Sequence, residues 1–366
     1  MKRVAILGAN GQVGTEVSLR LRDVDGIEVV PIIRNVSGSA FLRSNGMECR
    51  HGRISDPAEA STLIEDCDVV VNFALSNTAI PRADRDMNRR IVRNMVAAAK
   101  AGAPIVFAST MMVYAPGMKF WFPDSYGLEK LVAESMFRRI CRMSRHPAFV
   151  FRLGHVMGEM QNITSKIRSE IRDGKVALPH RGLRASNTVF TATIVEAVVQ
   201  IAQMQGAQAA PKPGTYDLIT FPQWSWLDVY KYYAAQLGLP LHLAHAEQVG
   251  DPKSGLGSPG DSMRRFLGYL ANHHALTERL TFLLAFLPRG VNQRMYLRYL
   301  QTRALTEINA LRESRKVEFC VQDWRELKVR SFGQIADPVT LMARYPLPSA
   351  LEFASPSQSA GGMKRF

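Results

Sequence analysis

Cysteine is scarce in this chain. Cys49, Cys67, Cys141 and Cys320 are scattered through 366 residues. Their spacing fits neither a metal-ligand set nor a disulfide framework. No metal centre is expected, and a reducing cytoplasm is the expected compartment. Long apolar runs are lacking too. No stretch approaches the roughly 20 apolar residues that span a bilayer. The N-terminal run Arg3 to Gly8 meets glycines too soon for a secretion signal. Acidic residues are in deficit, 32 Asp+Glu against 46 Lys+Arg, for a net charge of +14. That balance favours anionic partners such as phosphorylated substrates, nucleic acid or an acidic membrane face, though a merely basic surface also satisfies it. No nucleic-acid motif and no aromatic-basic alternation is present, so nucleic acid is not an expected partner.

What is present is apolar residue enough, 46%, for a sizeable core. The length suits one large α/β domain with an appended lobe, or two domains. Strands are expected at 3–8, 27–33, 68–73, 104–108 and 148–153, and helices at 12–22, 88–101 and 125–141. This alternation predicts a doubly wound parallel Rossmann sheet with helices on both faces. Pro31 is tolerable only near an edge or a strand end. Beyond residue 155 the pattern loosens. Helices are expected at 161–173, at 193–205 with Thr193 as a candidate N-cap, and at 225–237 capped by Ser225; a short strand is expected at 214–220. The expected organisation is a cofactor domain at 1–155, a smaller substrate lobe at 156–246, a Gly/Pro/Ser-rich linker at 247–263, an appended helical segment at 264–350 and a disordered tail at 355–366.

Two motifs carry chemistry. Gly8-Ala9-Asn10-Gly11-Gln12-Val13-Gly14 lies between the first strand and the first helix. Glycines there allow a tight turn and a close approach of backbone to pyrophosphate, and the helix start offers N–H groups to an anion. Asn10, Gln12 and Val13 therefore join Gly8, Gly11 and Gly14 as candidate cofactor contacts. The second strand ends at Arg34, where an acidic residue would select NAD and an arginine can pair with the 2′-phosphate of NADP. NADP is favoured, with NAD as the alternative. Asp56 either accepts from the adenine amino group or caps a helix that begins at Pro57.

The second motif is Tyr126 and Lys130, four apart and so on one helix face. A free phenol has a pKa near 10, too high for a base at neutral pH. A neighbouring ammonium lowers it, and the tyrosine can then exchange a proton with a substrate oxygen while hydride moves. Ser109 and Thr110, at a strand end, are candidates to hydrogen-bond that oxygen.

With GANGQVG (8–14), GRISD (52–56), VVNFA (70–74), Asn88 and Asn94, ASTMMVYA (108–115), YGLEK (126–130) and RLGHVMG (152–158), the chain resembles an extended short-chain dehydrogenase/reductase of the NAD-dependent epimerase/dehydratase family. The resemblance covers about residues 1–240. It implies that Tyr126 is the acid/base, Lys130 orients the nicotinamide ribose, Thr110 binds the substrate oxygen with Ser109 beside it, and Phe73 and Ala74 flank the cofactor. It also implies a nucleotide-sugar substrate and a homodimer. Met111 and Met112 stand where sugar 4,6-dehydratases carry an Asp-Glu pair, and a thioether is neither acid nor base, so dehydration is not expected. His155 replaces an asparagine of the family motif, as a second proton donor or a packed polar residue. Lys119, Phe120 and Trp121 are expected to shape the substrate pocket, with Arg184 as a further substrate candidate.

Residues 264–314 have no counterpart in the resemblance. They read as two basic amphipathic helices, either an extra lobe or oligomer contact, or a docking surface for an anionic membrane at its inner face. The expected function is NAD(P)-dependent epimerisation or reduction of a (nucleotide-)sugar. The alternatives are a non-catalytic dinucleotide-binding subunit or sensor, and a reductase of a non-sugar ketone.

Overall fold

The computed structural model describes residues 1–76, 81–114, 125–204, 211–220, 222–243 and 336–348. The linker, the basic helical pair at 264–314 and the tail at 355–366 lie outside them.

Apolar, β-branched runs form the strands, because a strand covered on both faces needs no polar alternation. These are β1 (Lys2–Leu7), β2 (Ile27–Ile33), β3 (Arg50–His51), β4 (Val69–Asn72), β5 (Ile105–Thr110), β6 (Ala148–Leu153) and, later in the chain, β9 (Gly214–Leu218). They make one seven-stranded sheet in the order β3-β2-β1-β4-β5-β6-β9, with every pairing parallel. The order reverses between β1 and β4, which opens a crevice at the strands' C-terminal ends. Pro31 costs no ladder bond on the outer side, because β3 pairs only with Ile32 and Ile33.

Helices α1 (Gln12–Leu21), α2 (Ala40–Ser44), α3 (Pro57–Ile64), α4 (Pro81–Ala98) and α5 (Ser125–Met143) connect these strands. Alternation along β5 divides its side chains between two cores. Ile105 and Phe107 pack with Phe137 and Cys141 of α5, and Met95 of α4 joins them. Val106 and Ala108 face the opposite layer with Val17 of α1 and Val195 and Val198 of α7 (Thr191–Ala202). Each fully buried side chain of this size contributes about 1.5–3 kcal/mol of transfer free energy.

A smaller unit is built from segments after β6. β7 (His155–Met157) and β8 (Thr188–Phe190) pair with each other, and α6 (Asn162–Arg172) packs on α8 (Trp226–Leu237) around Met157, Phe190, Trp226 and Tyr233. Ser225 caps α8 through a reciprocal bond pattern with Asp228, and Gly238 ends it at φ 64°.

Two expectations are corrected. Thr193 is not the N-cap of α7: the helix starts at Thr191, because β8 runs straight into it, and Thr193 is buried within its first turns. α4 begins at Pro81, not at 88; its first two turns are polar and give no apolar periodicity. Residues 336–348 pack against the helical layer of the main sheet. There α9 (Pro338–Arg344) lies on α7, with Leu341 and Tyr345 in the same core as Val17.

Candidate active site

The glycine-rich turn closes tightly on the end of β4. Gly8 has φ 75°, and a Cβ there would lie 2.7 Å from the Ala74 nitrogen. A Cβ on Gly14 would lie 2.3 Å from the Gly8 carbonyl oxygen. Both obstacles are backbone, so glycine is required at each. The Phe73 N–H donates to the Leu7 carbonyl at 3.0 Å, and the Ala74 N–H to Asn72 Oδ1 at 3.0 Å. Gly8, Gly14, Phe73 and Ala74 thus meet at the reversal point of the sheet. Gly11 is the N-cap of α1 and offers no capping side chain, and the first turn holds no acidic residue. The helix start therefore turns N–H groups and a partial positive charge toward an anion. These features fit a dinucleotide pyrophosphate. Asn10 is exposed, Val13 is half-buried, and Gln12 Nε2 donates to Asn162 Oδ1 at 2.6 Å, tying the turn to α6.

Arg34 is exposed directly after β2. The following turn is ordered by Asn35 Oδ1, which accepts from the Gly38 N–H at 2.9 Å. A Cβ on Gly38 would approach Asn10 Nδ2 to 3.0 Å, so this turn abuts the glycine-rich one. Asp56 is the N-cap of α3. Its Oδ1 accepts from the N–H groups of Ala58 at 2.9 Å and Glu59 at 3.2 Å, ahead of Pro57.

The second half of the site lies at the end of β5. Tyr126 stands in the first turn of α5, and its side chain lies outside the described residues. One turn on, Lys130 is buried, donates from Nζ to the Ala108 carbonyl at 3.0 Å and sits 5.1 Å from the Phe107 ring centroid. Burial pushes its ammonium down to about 8, against the opposing charge of Glu134. Ser109 and Thr110 point to opposite faces of the strand. Ser109 is buried and donates to Glu134 Oε1 at 2.5 Å, so its proton is committed within the protein. Arg152, on neighbouring β6, donates to the same carboxylate from Nε at 3.1 Å and Nη2 at 2.8 Å. Thr110 ends the strand half-buried, paired in register with Leu153. Glu134 was missed in the sequence, although its spacing of four from Lys130 and eight from Tyr126 places all three on one helix face.

Beyond Leu153 the chain passes close to β8: a Cβ on Gly154 would lie 1.9 Å from the Asn187 carbonyl oxygen. His155 ring-packs on Trp226 with centroids 5.4 Å apart. Around them Asn187 Nδ2, Thr220 Oγ1, Gln223 Oε1 and Trp226 Nε1 are buried without a hydrogen-bond partner. Met111 is buried in the short 3-10 turn Met111–Tyr114, and Arg184 is exposed before β8. The side chain of Met112, and Lys119, Phe120 and Trp121, lie outside the described residues.

A buried carboxylate on α1 gathers donors from residues 159–161 and from α7. Glu16, fully buried on α1, accepts from Arg20 Nη2 at 3.0 Å, Thr191 Oγ1 at 2.6 Å, the Met160 N–H at 3.2 Å and Gln161 Nε2 at 3.2 Å. Arg20 in turn donates to the Tyr345 carbonyl. A Cβ on Gly158 would come within 2.4 Å of the Glu16 carboxylate, which accounts for glycine there.

No group of His, Cys, Asp or Glu able to hold a metal occurs among the described residues, and no described helix is long and apolar enough to cross a membrane. The model of the NAD dependent epimerase/dehydratase family matches residues 4–217. No curated protein matches the sequence. Among solved structures, the enzyme WbmF of Bordetella bronchiseptica in complex with NAD+ is 16% identical, with 87% of this chain and 97% of that one covered and a TM-score of 0.51. UDP-glucuronic acid 4-epimerase from Bacillus cereus in complex with NAD is 16% identical, with 67% and 87% covered and a TM-score of 0.51. At these identities the likeness concerns the fold.

Proposed function

Since this chain belongs to the NAD dependent epimerase/dehydratase family, we propose that it is an NAD(P)-dependent sugar epimerase or reductase that uses Tyr126 as its acid/base. The observation that carries this reading is Lys130: a buried ammonium fixed at the Ala108 carbonyl, two residues before Thr110 and one helical turn after Tyr126.

The dinucleotide would be held at its pyrophosphate by Gly8, Gly11, Gly14 and the start of α1, with Asn10, Gln12 and Val13 in the same turn. Phe73 and Ala74 would border the nicotinamide side. Bound there, the nicotinamide ring accepts or supplies hydride at a carbon of the substrate. Tyr126, as phenolate, takes the proton from a carbinol hydroxyl as that carbon loses hydride, and returns it to the carbonyl oxygen in the reverse direction. Lys130 stabilises the phenolate and orients the cofactor ribose. Thr110 supplies the hydroxyl that positions the substrate oxygen; Ser109, committed to Glu134, does not. Arg34 favours NADP(H) through its 2′-phosphate, and Asp56 keeps its second oxygen for the adenine end while Oδ1 caps α3.

Met111 and Met112 give no acid or base beside Thr110, so water is not eliminated from the substrate. Net positive charge suits the diphosphate of a nucleotide sugar, with Arg184 a candidate contact.

The test is Tyr126→Phe, assayed with a panel of UDP-, GDP- and dTDP-sugars after the cofactor is identified by mass spectrometry of the purified protein. The variant should keep cofactor affinity and lose turnover by about 100-fold or more. Retained turnover would refute the mechanism, and failure of every sugar nucleotide would refute the substrate class.

A further inference from the structure

We propose that the outward faces of α4 and α5 form one docking surface for an anionic membrane, a peripheral contact made through arginines. The proposal does not depend on the mechanism given above.

Ile91, Val92, Met95 and Val96 of α4 share one core with Phe137 and Cys141 of α5, and the two helices pack on each other. Their opposite stripes therefore turn outward side by side. On α4 that stripe carries Arg89, Arg90 and Arg93; on α5 and the turn just after it stand Arg139, Arg142 and Arg145. All six are exposed, and none forms an ion pair among the described residues. A merely solvated helix face mixes both signs of charge. Here Asp86 is the single exposed acid among the described side chains of the two helices, because Glu134 is buried. Attraction to the negative end of a helix accounts for Arg142 and Arg145 at the end of α5. It does not account for α4, whose last turn holds no basic residue.

Apolar side chains stand in water among the arginines. Met143 is 73% exposed and Val132 45%, and Met87 is exposed on α4. Cationic heads beside apolar groups match the headgroup layer of an anionic bilayer. Its surface potential draws each arginine, and the apolar groups leave water there. A second copy of this chain would set like charges against each other. The exposed described side chains of this face include no aromatic ring to stack on an unpaired base. Along α5, Arg142 lies about 18 Å beyond Lys130, so the contact is made away from the candidate active site.

The experiment is co-sedimentation of the full-length protein with vesicles of phosphatidylcholine alone, and of phosphatidylcholine and phosphatidylglycerol in equal parts. Binding should require the anionic lipid and weaken steeply with added salt. Arg139→Gln, Arg142→Gln and Arg145→Gln together should lower vesicle affinity by about 100-fold. Arg90→Gln with Arg93→Gln, the second variant should the first not fold, should lower it by about tenfold or more. An equal change of charge on the exposed Arg172, Lys175 and Lys231 of the smaller unit, each to Gln, should leave affinity within about threefold of wild type. No binding to the anionic vesicles overturns the proposal. So does binding that survives both arginine variants, which would place the contact elsewhere in the chain, or binding that falls as far in the control. Self-association in sedimentation equilibrium that the arginine variants abolish would assign this face to a second copy and overturn the proposal as well.

Discussion

Replacing Glu16 with alanine should be among the most damaging single changes in the described core. The carboxylate is 0% exposed and its partner Arg20 is 5% exposed. Alanine would strand the Arg20 guanidinium without a counter-ion. It would also orphan the N–H groups of Glu159 and Met160, the Thr191 hydroxyl and the Gln161 amide, which now converge on the two oxygens. Breaking a buried pair by removing one partner costs about 3–5 kcal/mol. Total stabilities run to about 5–15 kcal/mol, so the loss is a large share of the whole. The pair also ties α1, which starts at the glycine-rich turn, to residues 159–161 of the smaller unit and to Tyr345. Urea unfolding of wild type, Glu16→Ala, Arg20→Ala and the double variant measures this. Each single change should cost about 3 kcal/mol or more, and the double should cost little beyond the worse single. A Glu16→Ala loss under about 1 kcal/mol, or strict additivity in the cycle, would show that neither burial nor pairing holds as described.

Gly14→Ala should lower stability by about 1–3 kcal/mol and weaken dinucleotide affinity about tenfold, because its Cβ meets the Gly8 carbonyl backbone at 2.3 Å; urea unfolding and fluorescence titration with NAD+ read both effects. Arg34→Ala should reduce NADPH affinity about tenfold or more and leave NADH affinity nearly unchanged, and equal losses for the two would argue against a 2′-phosphate contact. Lys130 is held near 8 in the folded chain against 10.5 as its ordinary value. The unfolded chain therefore binds the extra proton between those two values, and the contribution of Lys130 to stability should rise with pH across that window, by of order 3 kcal/mol. The buried thiols of Cys67 and Cys141, both pushed up, act in the opposite direction above pH 9, so the measure is the difference in urea midpoint between wild type and Lys130→Met, which should shift in favour of wild type from pH 8 to pH 10; a difference that does not change with pH contradicts the buried ammonium.

The glycine-rich turn was legible in the linear order of residues. A βα turn is a local object: glycines at 8, 11 and 14 specify it within seven positions, and buried parallel strands announce themselves as unbroken apolar runs. Ser225 was likewise legible as the cap of α8, while the reciprocal bond with Asp228 came from the structure. Polar first turns were the weak point. α4 opens with Arg82, Asp84, Arg85 and Asp86, and no periodicity marks its start. For Asp56 the sequence left two readings open, and the structure shows the helix cap.

What the chain alone determined is the sheet, its glycine-rich turn and the placing of Tyr126 and Lys130 on one helix. Only the tertiary structure decided what Ser109, Glu134 and Glu16 do. Their partners lie far away along the chain, with Ser109 meeting Glu134 across 25 residues, Glu16 meeting Met160 across 144 and Thr191 across 175. A buried carboxylate looks like any surface glutamate until the chain is closed around it. Solvation decides its role, and solvation is set by which strands and helices come together, not by its neighbours in sequence.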